Sequence, residues 1–194
     1  NQSIAFILGI SLPSVHMGIY SVLLTITSLS LFLNKNIKSV FSPAISKLHA
    51  EGKIDELRVL YQKITFLITF LTMPFSILIM FFSLEIFSFY SLHYNLSAYK
   101  SHLCILIIAN MISLLVGSSH TLMVMAGLER KAFQIQFIRG VFIVIISSLF
   151  IKTYKLDAAV IISLLSVLCV SSCQLYFMKK KLDISPFSRE LLIL

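Results

Sequence analysis

The chain alternates between long apolar runs and short polar breaks, and the breaks set the elements. No Asp, Glu, Lys or Arg occurs before Lys35. Pro13, Ser14 and Gly18 interrupt that first region, so residues 1–12 read as the end of a membrane helix and 19–46 as the next one. Segment 47–63, KLHAEGKIDELRVLYQK, is polar. Within it Ile54, Leu57, Leu60 and Tyr61 recur at helical spacing, while Asp55, Glu56, Arg58 and Lys63 fall elsewhere. That pattern predicts an amphipathic connector lying on a membrane surface. Four more apolar segments follow, at 64–89, 103–127, 133–151 and 158–178, and a tail at 179–194 opens with Lys179, Lys180 and Lys181. A bilayer is crossed by roughly 20 apolar residues in a helix. The pattern therefore predicts an all-α integral membrane protein with five full spans and the end of a sixth. Pro43 and Pro74 are the expected hinges, because proline frees a carbonyl within a helix.

Composition agrees with the pattern. Apolar residues make up 58% of the chain and charged residues only 12%, about half the charge of a soluble domain. The net charge of +8 would raise the question of nucleic acid. The basic residues gather at the ends of apolar runs, however, and no zinc-finger spacing or basic helix with aromatic platforms is present. Successive loops must alternate sides. One set carries Lys47, Lys53, Arg58, Lys63, Arg130, Lys131, Lys179, Lys180, Lys181 and Arg189; the other carries only Lys100, Lys152 and Lys155. The bias predicts that the first set, and with it the C-terminus, is cytoplasmic. The chain opens on Asn1 with no basic segment ahead of its first apolar run. No signal peptide is expected, and the first helix is expected to begin upstream. Cys104, Cys169 and Cys173 lie within apolar runs and read as small buried hydrophobes, with no disulfide or metal spacing.

A few polar residues fall where lipid should be. Lys35 sits near the middle of 19–46, flanked by Asn34 and Asn36, and Lys38 follows on a similar face. Two central lysines cost roughly 5 to 7 kcal/mol, against roughly 3 to 5 kcal/mol returned by the apolar residues around them. Such a helix must face protein or a water-filled cavity. Lys35, Lys38 and Asn34 are therefore candidates for a cationic cavity that holds an anionic head group. Arg139 is a further candidate, although it lies within snorkelling reach of the interface. His120 is a candidate proton site. No nucleophile–base pair, phosphate loop or metal spacing occurs, so neither an enzyme nor a cofactor is expected.

The order of several short elements resembles a known family. These are Gly18-Ile19-Tyr20-Ser21, the run FSPAISKL from Phe41 to Leu48, Glu51-Gly52-Lys53, a span with Pro74 at its middle, LEIFSFY from Leu84 to Tyr90, and MAGLERKA from Met125 to Ala132. Together they resemble the polysaccharide (O-antigen) flippases of the MOP exporter superfamily (multidrug, oligosaccharidyl-lipid, polysaccharide). The resemblance implies a twelve-helix transporter of two lobes. This chain would be its C-terminal six-helix lobe, running from the end of helix seven through helix twelve. It implies multi-pass insertion in the bacterial inner membrane with a cytoplasmic C-terminus. The implied activity is alternating-access transfer of an undecaprenyl-diphosphate-linked oligosaccharide, in O-antigen, lipopolysaccharide or other polysaccharide synthesis. Implied partners are that lipid-linked glycan, membrane lipids, and polysaccharide polymerase and chain-length regulator proteins. A multidrug exporter of the same superfamily is the nearest alternative, but such exporters use membrane carboxylates, which these spans lack at their centres. A membrane O-antigen polymerase or glycosyltransferase is another, but it would call for a longer outer loop than 90–102 or 152–157.

Overall fold

A computed structural model describes residues 2–11, 13–90, 96–116 and 119–182. The described residues are helical, joined by tight turns, with no strand among them. Helix α1 (Gln2–Ser11) is followed by α2 (Ser14–Ala50), α3 (Ile54–Phe81), α4 (Ser83–Tyr90), a short 3-10 turn at Leu96–Tyr99, α5 (Lys100–Leu115), α6 (Ser119–Met125) and α7 (Glu129–Leu182). Three helical stretches, Ile54–Phe81, Ser97–Met125 and Glu129–Lys181, are long and apolar enough to cross a membrane.

Helix α7 is two arms rather than one rod. At Lys155 the backbone leaves the helical region, with φ 48° and ψ −122°. This conformation is rare for an L residue and common at the first corner of a reversing turn. The arms return antiparallel: Lys131 Nζ lies 5.9 Å from the ring centre of Phe177, and Ile135 packs in one cluster with Met178.

The polar segment 47–63 forms no separate surface helix. Helix α2 runs on to Ala50, a tight turn follows, and α3 begins at Ile54 and continues into its span. The turn is a Schellman cap: Lys53 N–H donates to Leu48 O at 3.0 Å and Gly52 N–H to His49 O at 3.1 Å. Gly52 takes φ +71°, which an L side chain adopts only with strain. The turn between α6 and α7 repeats the device, with Leu128 N–H donating to Met123 O at 2.8 Å and Gly127 at φ +72°. The amphipathic face read from the sequence is real but points inward: Leu57 and Tyr61 are buried in the bundle. Pro43 and Pro74 are both exposed and lie within continuous α2 and α3.

The packing divides by level. One apolar cluster lies at the basic end and includes Ile45, Leu57, Tyr61, Ile64, Leu122, Ala132 and Met178. A second lies at the opposite end and includes Leu8, Tyr20, Leu23, Phe87, Leu103, Ile151 and Leu156. At that end the His102 Nε2 atom approaches Asp157 Oδ1 at 2.8 Å, which ties the start of α5 to the turn between the α7 arms. Buried Thr27, Asn34, Asn110, Ser119, Ser163, Ser166, Ser171 and Gln174 occupy levels between the two clusters. The middle of the bundle, where a membrane protein is most easily apolar, is its polar part.

The cysteines correct the sequence reading. Cys169 and Cys173 are exposed and Cys104 is half-buried, so none is a buried core residue. The second arm of α7 turns its i, i+4 cysteine pair outward and gives its inward face to Ser166, Ser171 and Gln174.

Candidate functional site

The level of the polar middle follows from helix geometry. Lys38 lies twelve residues before the end of α2 at Ala50, about 18 Å along the axis. Arg139 lies ten residues after the start of α7 at Glu129, about 15 Å along it. Both residues therefore lie several turns inside their helices, away from the basic turns.

Lys38, His120 and Arg139 line one cavity of about 120 Å³, together with Ser113, Gln136, Ser171 and Gln174. It lies where α2, α5, α6 and both arms of α7 meet. Neither Lys38 nor Arg139 has a carboxylate partner among the described residues, and the buried Nε of Arg139 has no hydrogen-bond acceptor. The Gln174 amide oxygen accepts a hydrogen bond from Ser119 Oγ at 2.7 Å. That bond fixes α6 against the second arm of α7.

His120 lies on α6, which begins at Ser119; α5 ends at Leu115, and both belong to the apolar stretch Ser97–Met125. A helix end inside a membrane leaves carbonyls that lipid cannot satisfy. Here Tyr61 on α3 donates its hydroxyl to Val116 O at 2.6 Å.

The remaining sequence candidates fall as follows. Asn34 is buried one turn from Lys38, and its Oδ1 meets no donor among the described residues. Lys35 belongs to α2, but its side chain lies outside the described residues. Gln136, Ser171 and Gln174 were not anticipated. The signal was present: Ser171 and Gln174 are one turn apart, and Gln136 precedes Arg139 by one turn, all within apolar runs.

A second cavity, of about 340 Å³, meets the first at Val167, which lines both. Thr25, Thr27, Ser28, Asn110 and Ser163 bring hydroxyls and an amide to its wall, and Leu24, Leu31, Leu106, Ala109 and Val167 make the rest apolar. Asn110 Nδ2 donates to Thr27 O at 3.4 Å, and Tyr20 and Ser163 share a hydrogen bond of 3.0 Å.

The chemistry of the smaller cavity is that of an anion site. Lysine offers three N–H donors and arginine a planar fork of five, and two amides and three serines surround them. Among the lining residues no carboxylate competes for them. No cluster of metal-ligating side chains occurs among the described residues.

Residues 1–94 match the family model described as polysaccharide biosynthesis protein. The matched part holds α1 to α4, hence Lys38, Pro43 and Pro74, and stops short of His120 and Arg139. The match supports a role in polysaccharide biosynthesis or transport and fits a polysaccharide flippase-like fragment. With the long apolar helices, it describes a membrane protein. No curated protein and no solved structure matches the chain.

Proposed function

We propose that this chain forms one lobe of a flippase that carries a lipid-diphosphate-linked oligosaccharide across the bacterial inner membrane, with the basic turns in the cytoplasm. One observation carries the reading: Lys38 and Arg139, both without a carboxylate partner among the described residues, line the same cavity. Two like charges in a low-dielectric setting repel each other and lose hydration. An anion entering between them relieves both costs, and a diphosphate does so with several acceptor oxygens at once. The hydroxyls and amide on the wall of the adjoining cavity suit the first sugars attached to that diphosphate. The polysaccharide family match supports the glycan part of the reading. A multidrug exporter for cations would need the opposite charge at this level.

Transport follows if this lobe rocks against a second one around the cavity, exposing it to each leaflet in turn. The lobe itself moves as packed helices, with Pro43 and Pro74 as the proposed points of bending in α2 and α3. His120, on the cavity wall, is the proposed proton carrier.

The test uses the complete protein in proteoliposomes with a polyprenyl-diphosphate-linked glycan. The double variant Lys38→Ala, Arg139→Ala is expected to insert normally and to lose at least 100-fold in transfer rate, the equivalent of two tenfold steps. Wild-type transfer by a correctly inserted double variant overturns the proposal.

A further inference from the structure

The two arms of α7 enclose a groove that the anion reading does not use. It has a volume of about 270 Å³ and is lined by Ile135, Ile138, Phe142, Cys169, Cys173 and Phe177, with Arg139 at one side. Arg139 and Val170 line both this groove and the polar cavity. The guanidinium-bearing side chain is thus the wall between an anion site and an apolar slot. The slot opens outward: Ile138 is 67% exposed, and both cysteines are exposed. Ile135 closes its floor, 8% exposed.

We infer that this groove seats the first part of the hydrocarbon chain of the lipid whose anionic head enters the cavity. The inference rests on the proposed anion site and extends it. A lipid diphosphate is charged at one end and apolar directly beyond. A chain-bearing phosphate bound at Arg139 has the groove directly beside it, whereas Arg139 does not line the larger cavity, where a hydrocarbon would also desolvate Thr25, Ser28 and Asn110. The groove supplies an apolar path from the same arginine out to the bilayer. Its occupant is therefore a lipid chain continuous with a bound anion. An unattached lipid, a second copy of the chain or a neighbouring lobe would have no reason to meet Arg139.

The two cysteines make the groove readable. The complete protein in nanodiscs is treated with a maleimide, and the alkylation rates of Cys169 and Cys173 are followed by peptide mass spectrometry. The probes are a polyprenyl diphosphate, inorganic diphosphate, and the corresponding prenol. The prenyl diphosphate is expected to slow both thiols about tenfold, an occupancy near nine-tenths at ten times its dissociation constant. Diphosphate alone and prenol alone are expected to leave the rates unchanged at the same concentration, and Arg139→Gln is expected to abolish the protection. Cys173→Trp, which fills the groove, is expected to weaken binding of the prenyl diphosphate and spare that of inorganic diphosphate.

Unchanged thiol rates while radiolabelled prenyl diphosphate binds in a Lys38-dependent way would overturn the groove and leave the anion site standing. Absence of any such binding would overturn both. Equal protection by prenol would make the groove ordinary lipid-facing surface.

Discussion

The lysines of the basic turn and the cations of the cavity are the same chemical groups in opposite circumstances. At the turn, Glu51 receives Lys53 Nζ at 2.8 Å and Lys47 Nζ at 3.9 Å, all three side chains at least a third exposed. Water and a carboxylate both serve these charges, so each is cheap to keep and contributes little. In the cavity, Lys38 and Arg139 have two glutamines, three serines and no carboxylate. Nothing in the surrounding side chains offsets their cost. The turn explains itself through topology and chain reversal, whereas the cavity makes sense only with something added to it.

That difference gives the largest expected effect. Lys38→Met is expected to reduce glycan-lipid transfer by tenfold or more, about 1.4 kcal/mol of lost interaction. Lys53→Met at the turn is expected to change it by less than twofold. Transfer assays on the two variants, matched for membrane abundance, measure the contrast directly. Equal effects would remove the distinction between charges held for a ligand and charges held for topology. Lys35→Met belongs to the same series, and a loss like that of Lys38 would assign it to the cavity.

The next effect concerns how the polar middle is held. Tyr61→Phe removes the hydroxyl that donates to Val116 O, leaving a buried helix-end carbonyl without that donor. The expected cost is about 1 to 3 kcal/mol, read as a lower melting temperature in detergent. Because the bond ties α3 to the end of α5, whose Ser113 lines the cavity, transfer should fall together with stability. A variant with unchanged melting would show that the carbonyl finds another donor.

How much of this was legible in the sequence depended on the kind of signal. Helices and their apolar ends follow from uninterrupted runs of some twenty residues, a signal that each segment carries alone. Lys38 stood out because a lysine within an apolar run is costly wherever the run folds. That Lys38, His120 and Arg139 converge was not readable, since they lie on helices separated by turns whose geometry no single run reports. Gln136 and Gln174 were missed because an isolated amide in an apolar run is unremarkable until its neighbour is known. In segment 47–63 the amphipathic face is legible, but that Leu57 and Tyr61 on it are buried in the bundle is not, and Gly52 is where the chain turns.

Gly52 and its counterpart Gly127 set the third effect. Each occupies positive φ with open space around its Cα, so a methyl group meets no neighbour and the cost is conformational alone. Gly52→Ala and Gly127→Ala are each expected to destabilise the protein by about 1 kcal/mol. Neither turn touches the cavity, so transfer measured well below the melting temperature should be preserved. A variant that melts normally yet loses transfer would make its turn a moving part rather than a cap.

The smallest effect is electrostatic and returns to the turn itself. Lys53, hydrogen-bonded to Glu51, holds that carboxyl below the usual carboxylate range, and Glu51 in turn raises the Lys53 ammonium above the usual lysine range. A carboxyl with a depressed folded-state pKa stabilises the fold at pH values above its ordinary titration and loses that contribution as pH falls through the depressed value. An ammonium with a raised pKa contributes below its ordinary titration and loses that contribution as pH rises through the raised value. The pair therefore acts across the whole neutral range and fades only at the extremes. Glu51→Gln should lower the melting temperature slightly at neutral pH, with the gap to wild type closing in acid and also narrowing in high salt. The same pH series on Lys38→Met should show no such closing, because no carboxylate among the described residues pairs with Lys38. If the two variants followed one pH curve, the cavity lysine would have a carboxylate partner after all, and its charge would need no ligand to explain it.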